Sequence, residues 1–102
     1  MQKTKAALGL AQKAGKLASG DTSVDNAIKT GKAKLLIIAT DVAFNTKKNL
    51  KLLAERYSIP AYEILTKEEL GSAIGRAQRA CIAVLDANFV KMIVNSISQR
   101  VD

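Results

Sequence analysis

The chain has no histidine, no tryptophan, one cysteine and one proline. Without an imidazole and with a single thiol, Cys/His zinc centres, histidine-based triads and disulfide frameworks are excluded together. Aromatic residues make up 4%, namely Phe44, Tyr57, Tyr62 and Phe89, so base-stacking platforms are sparse at most. Three of these four sit among apolar neighbours and are expected in the core. No apolar run approaches the ~18 residues of a membrane span. The apolar residues of the basic N-terminus are broken by Gln12 and Lys13, which argues against a secretory signal. Acid is scarce in the first half. Residues 1–51 carry ten lysines against Asp21, Asp25 and Asp41, while residues 52–102 balance six cations with six anions. The whole net charge of +7 therefore sits on one half of the chain, the footprint of a protein that meets a polyanion.

What is present is a well-supplied core. With 48% hydrophobic residues in 102, the chain has the size and composition of one folded domain, residues 1–102. Leu35-Leu36-Ile37-Ile38-Ala39 is wholly apolar and too short for a useful helix, so it reads as a strand covered on both faces. Cys81-Ile82-Ala83-Val84-Leu85 reads the same way, which makes Cys81 a buried, inert thiol and fits a reducing, cytoplasmic setting. Lys16–Ser19 and Ala61–Leu65 are shorter strand candidates. The second carries Glu63 and follows Pro60, as an edge strand would.

Between the strands lie helical stripes. They are Ala7, Leu10, Ala11 and Ala14; Val24, Ala27 and Ile28; Leu50, Leu53, Ala54 and Tyr57; and Val90, Ile93, Val94 and Ile97. Gly15, Gly31 and Gly75 are placed to stop helices in the left-handed conformation. Gly20–Ser23 supplies a turn and N-cap, Asn45 can cap the third helix, and Asp86 the last. Thr66-Lys67-Glu68-Glu69, flanked by Leu65 and Leu70, is a capping box with a hydrophobic staple. Strict alternation of helix and strand predicts an α/β domain with helices on both faces of a mostly parallel sheet.

In such a sheet the functional loops follow the strands, here Gly20–Ser23, Thr40–Phe44, Thr66–Lys67 and Asp86–Asn88. The Gly20–Ser23 loop opens a helix N-terminus, whose free N–H groups suit a phosphate. It forms no GxGxxG or P-loop pattern, so no nucleotide cofactor is implied. Asp41 and Asp86 both sit at strand ends, where a carboxylate pair can do acid–base work, and helix or turn capping is the simpler role for both. No nucleophile–base pair can be assembled, so the chain does not read as an enzyme.

Ala14-Gly15-Lys16-Leu17-Ala18-Ser19-Gly20, followed by Gly31-Lys32-Ala33-Lys34-Leu35, resembles the ribosomal-protein family of L-seven-Ae and L-thirty-e. Glu69-Leu70-Gly71-Ser72-Ala73-Ile74-Gly75 is similar to that family's second signature. The match runs from about Lys3 to Phe89 and is closest in feel to the small bacterial YlxQ-type members. The resemblance implies a three-layer α/β/α sandwich around a four-stranded mixed sheet of order 1-4-2-3. It also implies RNA binding, typically to kink-turns, gripped by the start of the second helix and by the loop before the last strand.

Carried onto this chain, the first segment is Gly20, Thr22, Ser23 and Asn26, and the second is Ile74, Gly75, Arg76, Ala77 and Gln78. Lys29, Lys32 and Lys34 join them as phosphate contacts. The chain departs from the family at Ser23, where a guanine-reading Glu is usual, and at Asn26, where a Lys is usual. The functional expectation is a non-catalytic, monomeric protein that binds structured RNA, ribosomal RNA foremost, without metal or cofactor. The alternative is a protein–protein interaction module on the same scaffold, presenting the Arg76–Arg79 loop to an acidic partner.

Overall fold

The computed structural model describes residues 1–99. Five helices and four strands alternate along them: α1 (Gln2–Lys13), β1 (Leu17–Ser19), α2 (Asp21–Lys29), β2 (Leu35–Ile38), α3 (Phe44–Arg56), β3 (Ala61–Glu63), α4 (Lys67–Ala73), β4 (Cys81–Val84) and α5 (Ala87–Gln99). The strands form one sheet of order β1-β4-β2-β3. The order implied by the resemblance is the order found, and Ala61–Glu63 is indeed an edge.

The strand directions correct the expectation of a mostly parallel sheet. β2 and β3 are parallel, but β4 is antiparallel to both β1 and β2. Three strands thus run one way and β4 is inserted against them. A helical crossover is long enough to return a strand in either direction, so alternation alone could not fix this.

Every residue of β2 and β4 is buried, as unbroken apolar runs require. Side chains alternate between two cores. Leu35, Ile37, Ile82 and Val84 face α1, α4 and α5, meeting Leu8, Leu70 and Ile93. Leu36, Ile38, Cys81 and Ala83 face α2 and α3, meeting Val24, Ile28 and Ala54. Burial pushes the Cys81 thiol up to about 12, with the Asp21 carboxylate adding to it, so the sulfur stays protonated near neutral pH. No helix among the described residues is long and apolar enough to cross a membrane.

Two apolar assignments fail. In α1 the buried face is Thr4, Ala7, Leu8 and Ala11, while Leu10 is 52% exposed. The stripe is rotated because Thr4 hides its polarity: its hydroxyl donates to Ser96 Oγ at 2.7 Å, and Ser96 Oγ donates to the Ile93 carbonyl at 2.6 Å. Of the aromatics only Tyr62 and Phe89 pack on the core, whereas Phe44 and Tyr57 are exposed. Those two lie at the termini of α3, beyond the turns that touch the sheet.

Gly15, Gly31 and Gly75 all carry the positive φ expected of helix stops. The caps divide. Asp86 accepts from the N–H groups of Asn88 and Phe89, as anticipated. α3, however, starts from Ala43 and not Asn45, with no side-chain cap. The Thr66 box is complete: Glu69 N–H donates to Thr66 Oγ1 at 3.1 Å, and Thr66 N–H to Glu69 Oε1 at 3.0 Å. The Thr66 backbone N–H, then the Lys5 ammonium, hold the Glu69 carboxyl below its ordinary range. A lowered carboxyl pKa stabilises the fold above the unfolded value, and this is lost as pH falls through the folded one. Thr66→Ala should cost about 1 kcal/mol, read as a fall of roughly 4–8 °C in thermal midpoint. An unchanged midpoint would mean that the box contributes nothing.

Candidate nucleic-acid interface

Because β4 runs against the other strands, the carboxyl ends of β1, β2 and β3 meet the amino end of β4 at one pole of the sheet. Gly20 N–H reaches the Cys81 carbonyl there at 3.5 Å, and Ala39 N–H reaches the Ala80 carbonyl at 2.9 Å. Of the four loops named from the sequence, three lie at this pole. The fourth, Asp86–Asn88, follows β4 and lies at the opposite pole. Asp41 and Asp86 are therefore separated by the length of the sheet. Asp41 Oδ1 accepts from Lys67 N–H at 2.8 Å and Asp86 caps α5, so both serve the backbone.

The start of α2 is built for contact. Gly20 is its N-cap at φ 89°, ψ 155°, a conformation open essentially to glycine. The N-cap expected within Gly20–Ser23 is thus Gly20 itself, and because no side chain bonds the helix's first N–H groups they remain available. Val24, Ala27 and Ile28 face inward. Asp21 and Asp25 line an open cleft of about 340 Å³ beside α3, together with Thr46, Asn49, Leu50 and Leu53. That leaves Thr22, Ser23 and Asn26, all exposed, as an uncharged outer face of hydroxyls and an amide. Lys29 is drawn to the Asp25 side, with Nζ at 3.1 Å from its carboxylate.

The second segment comes to the same pole. Ile74 is buried in the core and anchors the loop, so it is not a contact surface. Gly75, Arg76, Ala77 and Gln78 are exposed. Arg76 N–H donates to the Gly71 carbonyl at 2.8 Å, folding the loop back onto α4. A Cβ at Gly71 would lie 2.1 Å from the Ala77 carbonyl oxygen, so only glycine allows this approach. Arg79 then ties the two segments together. Its Nε donates to Ser19 Oγ at 3.3 Å, beside Gly20, and its Nη1 donates to the carbonyls of Ala77 and Gln78 at 3.2 and 3.0 Å.

Gly71 and Arg79 are positioning residues that the sequence reading did not single out. Gly71 lay inside a quoted signature, but the residue it must clear is six positions on. From the sequence Arg79 reads, with Arg76, as charge offered to an acidic partner or to solvent. Its donors are directed into the loop, which leaves Arg76 as the exposed guanidinium there and weakens the alternative of an acidic protein partner.

Lys32 and Lys34 do not join this pole. They precede β2, where Lys34 N–H donates to the Val84 carbonyl at 2.8 Å, at the opposite end of the sheet.

The model of the Ribosomal protein L7Ae/L30e/S12e/Gadd45 family matches residues 2–94. The chain belongs to this family. It is 33% identical over 90 residues to the RNA-binding protein YlxQ of Enterococcus faecium, spanning 88% of this chain and 86% of that one. It is 32% identical over 88 residues to the RNA-binding protein YlxQ of Bacillus subtilis (strain 168), spanning 86% and 88%. A solved structure described as a protein with unknown function from Bacillus halodurans C superposes with a TM-score of 0.90 at 34% identity, covering 96% of this chain and 99% of that one. Neither the family description nor the relatives' names is that of an enzyme.

Proposed function

We propose that this L7Ae-family chain is a non-catalytic RNA-binding protein that grips structured RNA at the pole formed by the start of α2 and the loop 74–79. The observation that carries the reading is the convergence there of an uncapped helix N-terminus with an Arg79-braced loop, in a chain of net charge +7. Free N–H groups and exposed hydroxyls donate to phosphate and base-edge oxygens without committing to one sequence. Ribosomal RNA is the proposed target class and the ribosome the proposed setting. Both relatives named above carry the name RNA-binding protein.

Specificity for a kink-turn should be slight. Ser23 and Asn26 lie i, i+3 on the exposed face, where the family pattern supplies a Glu to read guanine edges and a Lys. A lost charge-assisted contact at each site costs on the order of 1–3 kcal/mol of discrimination. Affinities for a consensus kink-turn and a control with its G·A pairs replaced should therefore lie within about tenfold of each other. Ser23→Glu with Asn26→Lys should widen the ratio about tenfold or more, with circular dichroism confirming an intact fold. A hundredfold preference in the unmodified protein would show that backbone groups at 20–23 and loop 74–78 read the kink unaided.

A further inference from the structure

Apart from Lys3 and from Lys48, which stands exposed and away from the others on α3, the ten lysines of the first half sort into two sets. Lys5, Lys29, Lys47 and Lys51 each have a carboxylate oxygen within 2.8–3.3 Å. Lys13, Lys16, Lys32 and Lys34 are exposed, and among the described residues their ammonium groups have no ion pair or hydrogen bond.

These four share one place in the fold. Lys13 ends α1, Lys16 leads into β1, and Lys32 and Lys34 lead from α2 into β2. β1 and β2 begin at the same pole, with β4 ending between them. The Lys16 carbonyl accepts from Leu85 N–H at 2.9 Å and Lys34 N–H donates to the Val84 carbonyl at 2.8 Å. Their backbones thus stand two inter-strand spacings apart, roughly 10 Å. α1 and α2 cover opposite faces of the sheet, so the four form a band across the pole. Asp86 also lies at this pole, its Oδ1 engaged with two N–H groups of α5, and Glu55, with Arg56 beside it, ends α3 there.

This band faces away from the α2 start and loop 74–79, on a body of 30 × 27 × 26 Å. A duplex seated on the first pole cannot lie across the second. We infer that the lysine pole is a second, separate phosphate-backbone site, so that the domain bridges two RNA segments. The inference rests on the RNA-binding reading above. Lysines on flexible stems meet phosphate as point charges and read no sequence. Double-stranded nucleic acid is dense enough in charge for groups 10 Å apart to be met together.

The test loads the protein onto an immobilised kink-turn RNA and measures capture of a labelled 20-base-pair RNA duplex. The unmodified protein should capture it. A variant with Lys13→Gln, Lys16→Gln, Lys32→Gln and Lys34→Gln should still load but capture at least tenfold less. In direct titration of the duplex, its log–log salt slope should be shallower by about 3–4. Lys32→Glu with Lys34→Glu alone should remove about half of that slope. Loading without capture by the unmodified protein would overturn the inference and leave the first site standing, as would undiminished capture by the four-Gln variant. Capture of anionic vesicles but not of duplex would overturn it in favour of a membrane surface. Failure of the four-Gln variant to load, where the unmodified protein loads, would refute the first site instead, and the duplex titration would still decide the second.

Discussion

Gly71→Ala is expected to lower the thermal midpoint by roughly 10–20 °C and to weaken binding of structured RNA at least tenfold. The added Cβ would meet backbone: the Ala77 oxygen at 2.1 Å, the Ala77 carbonyl carbon at 2.6 Å and the Arg76 oxygen at 3.0 Å. Backbone cannot rotate aside as a flexible side chain would, so the loop must lift from α4. Overpacking of this kind costs about 2–3 kcal/mol, which for a domain of this size gives the stated shift. Lifting the loop also breaks the bond from Arg76 N–H to the Gly71 carbonyl and misplaces Arg79, whose guanidinium joins the loop to Ser19. Ser72→Ala, exposed and one residue on, is the control and should change neither readout. A Gly71→Ala protein that melts like the unmodified one would show that the loop re-settles without cost.

The second large effect is on salt dependence. If about five phosphates are contacted, RNA affinity should fall roughly 10²–10³-fold between ~50 and ~200 mM monovalent salt. The cause is the concentration of all net charge, +7, in residues 1–51. Pairing within the protein discounts part of it, because Lys5, Lys29, Lys47 and Lys51 already face carboxylates. A flat response over this range would remove the polyanion reading altogether.

Local features were legible in the sequence, and features that depend on two distant segments were not. The Thr66 box could be read because its partners lie three residues apart, and the stops at Gly15, Gly31 and Gly75 because each follows its helix directly. The buried strands β2 and β4 announced themselves as unbroken apolar runs. The direction of β4 has no local signature, and from it follow the placement of Asp86 and the distance of Lys32 and Lys34 from the α2 start. Thr4 looked polar until Ser96 came across from α5 to meet it. A left-handed Leu65 at φ 62° was equally invisible. Its carbonyl accepts from Thr40 N–H and Thr40 Oγ1 across the β2–β3 end, while its side chain is held in the core. At the candidate site, Arg76–Arg79 is the loop expected, whereas of Gly20–Ser23 only Gly20 precedes the helix and residues 21–23 form its first turn. What joins them, Arg79, emerges only when β1 and the loop are side by side.

The most direct test of the central claim is an amide NMR titration of the unmodified protein with a short kink-turn RNA at low salt. The N–H signals of Asp21, Thr22 and Ser23 and those of Gly75 to Gln78 should shift together and saturate at one affinity. Signals from the 340 Å³ cleft between α2 and α3, such as those of Asn49 and Leu53, should move little. Saturating RNA that leaves the α2 start and loop 74–78 unmoved would contradict the account.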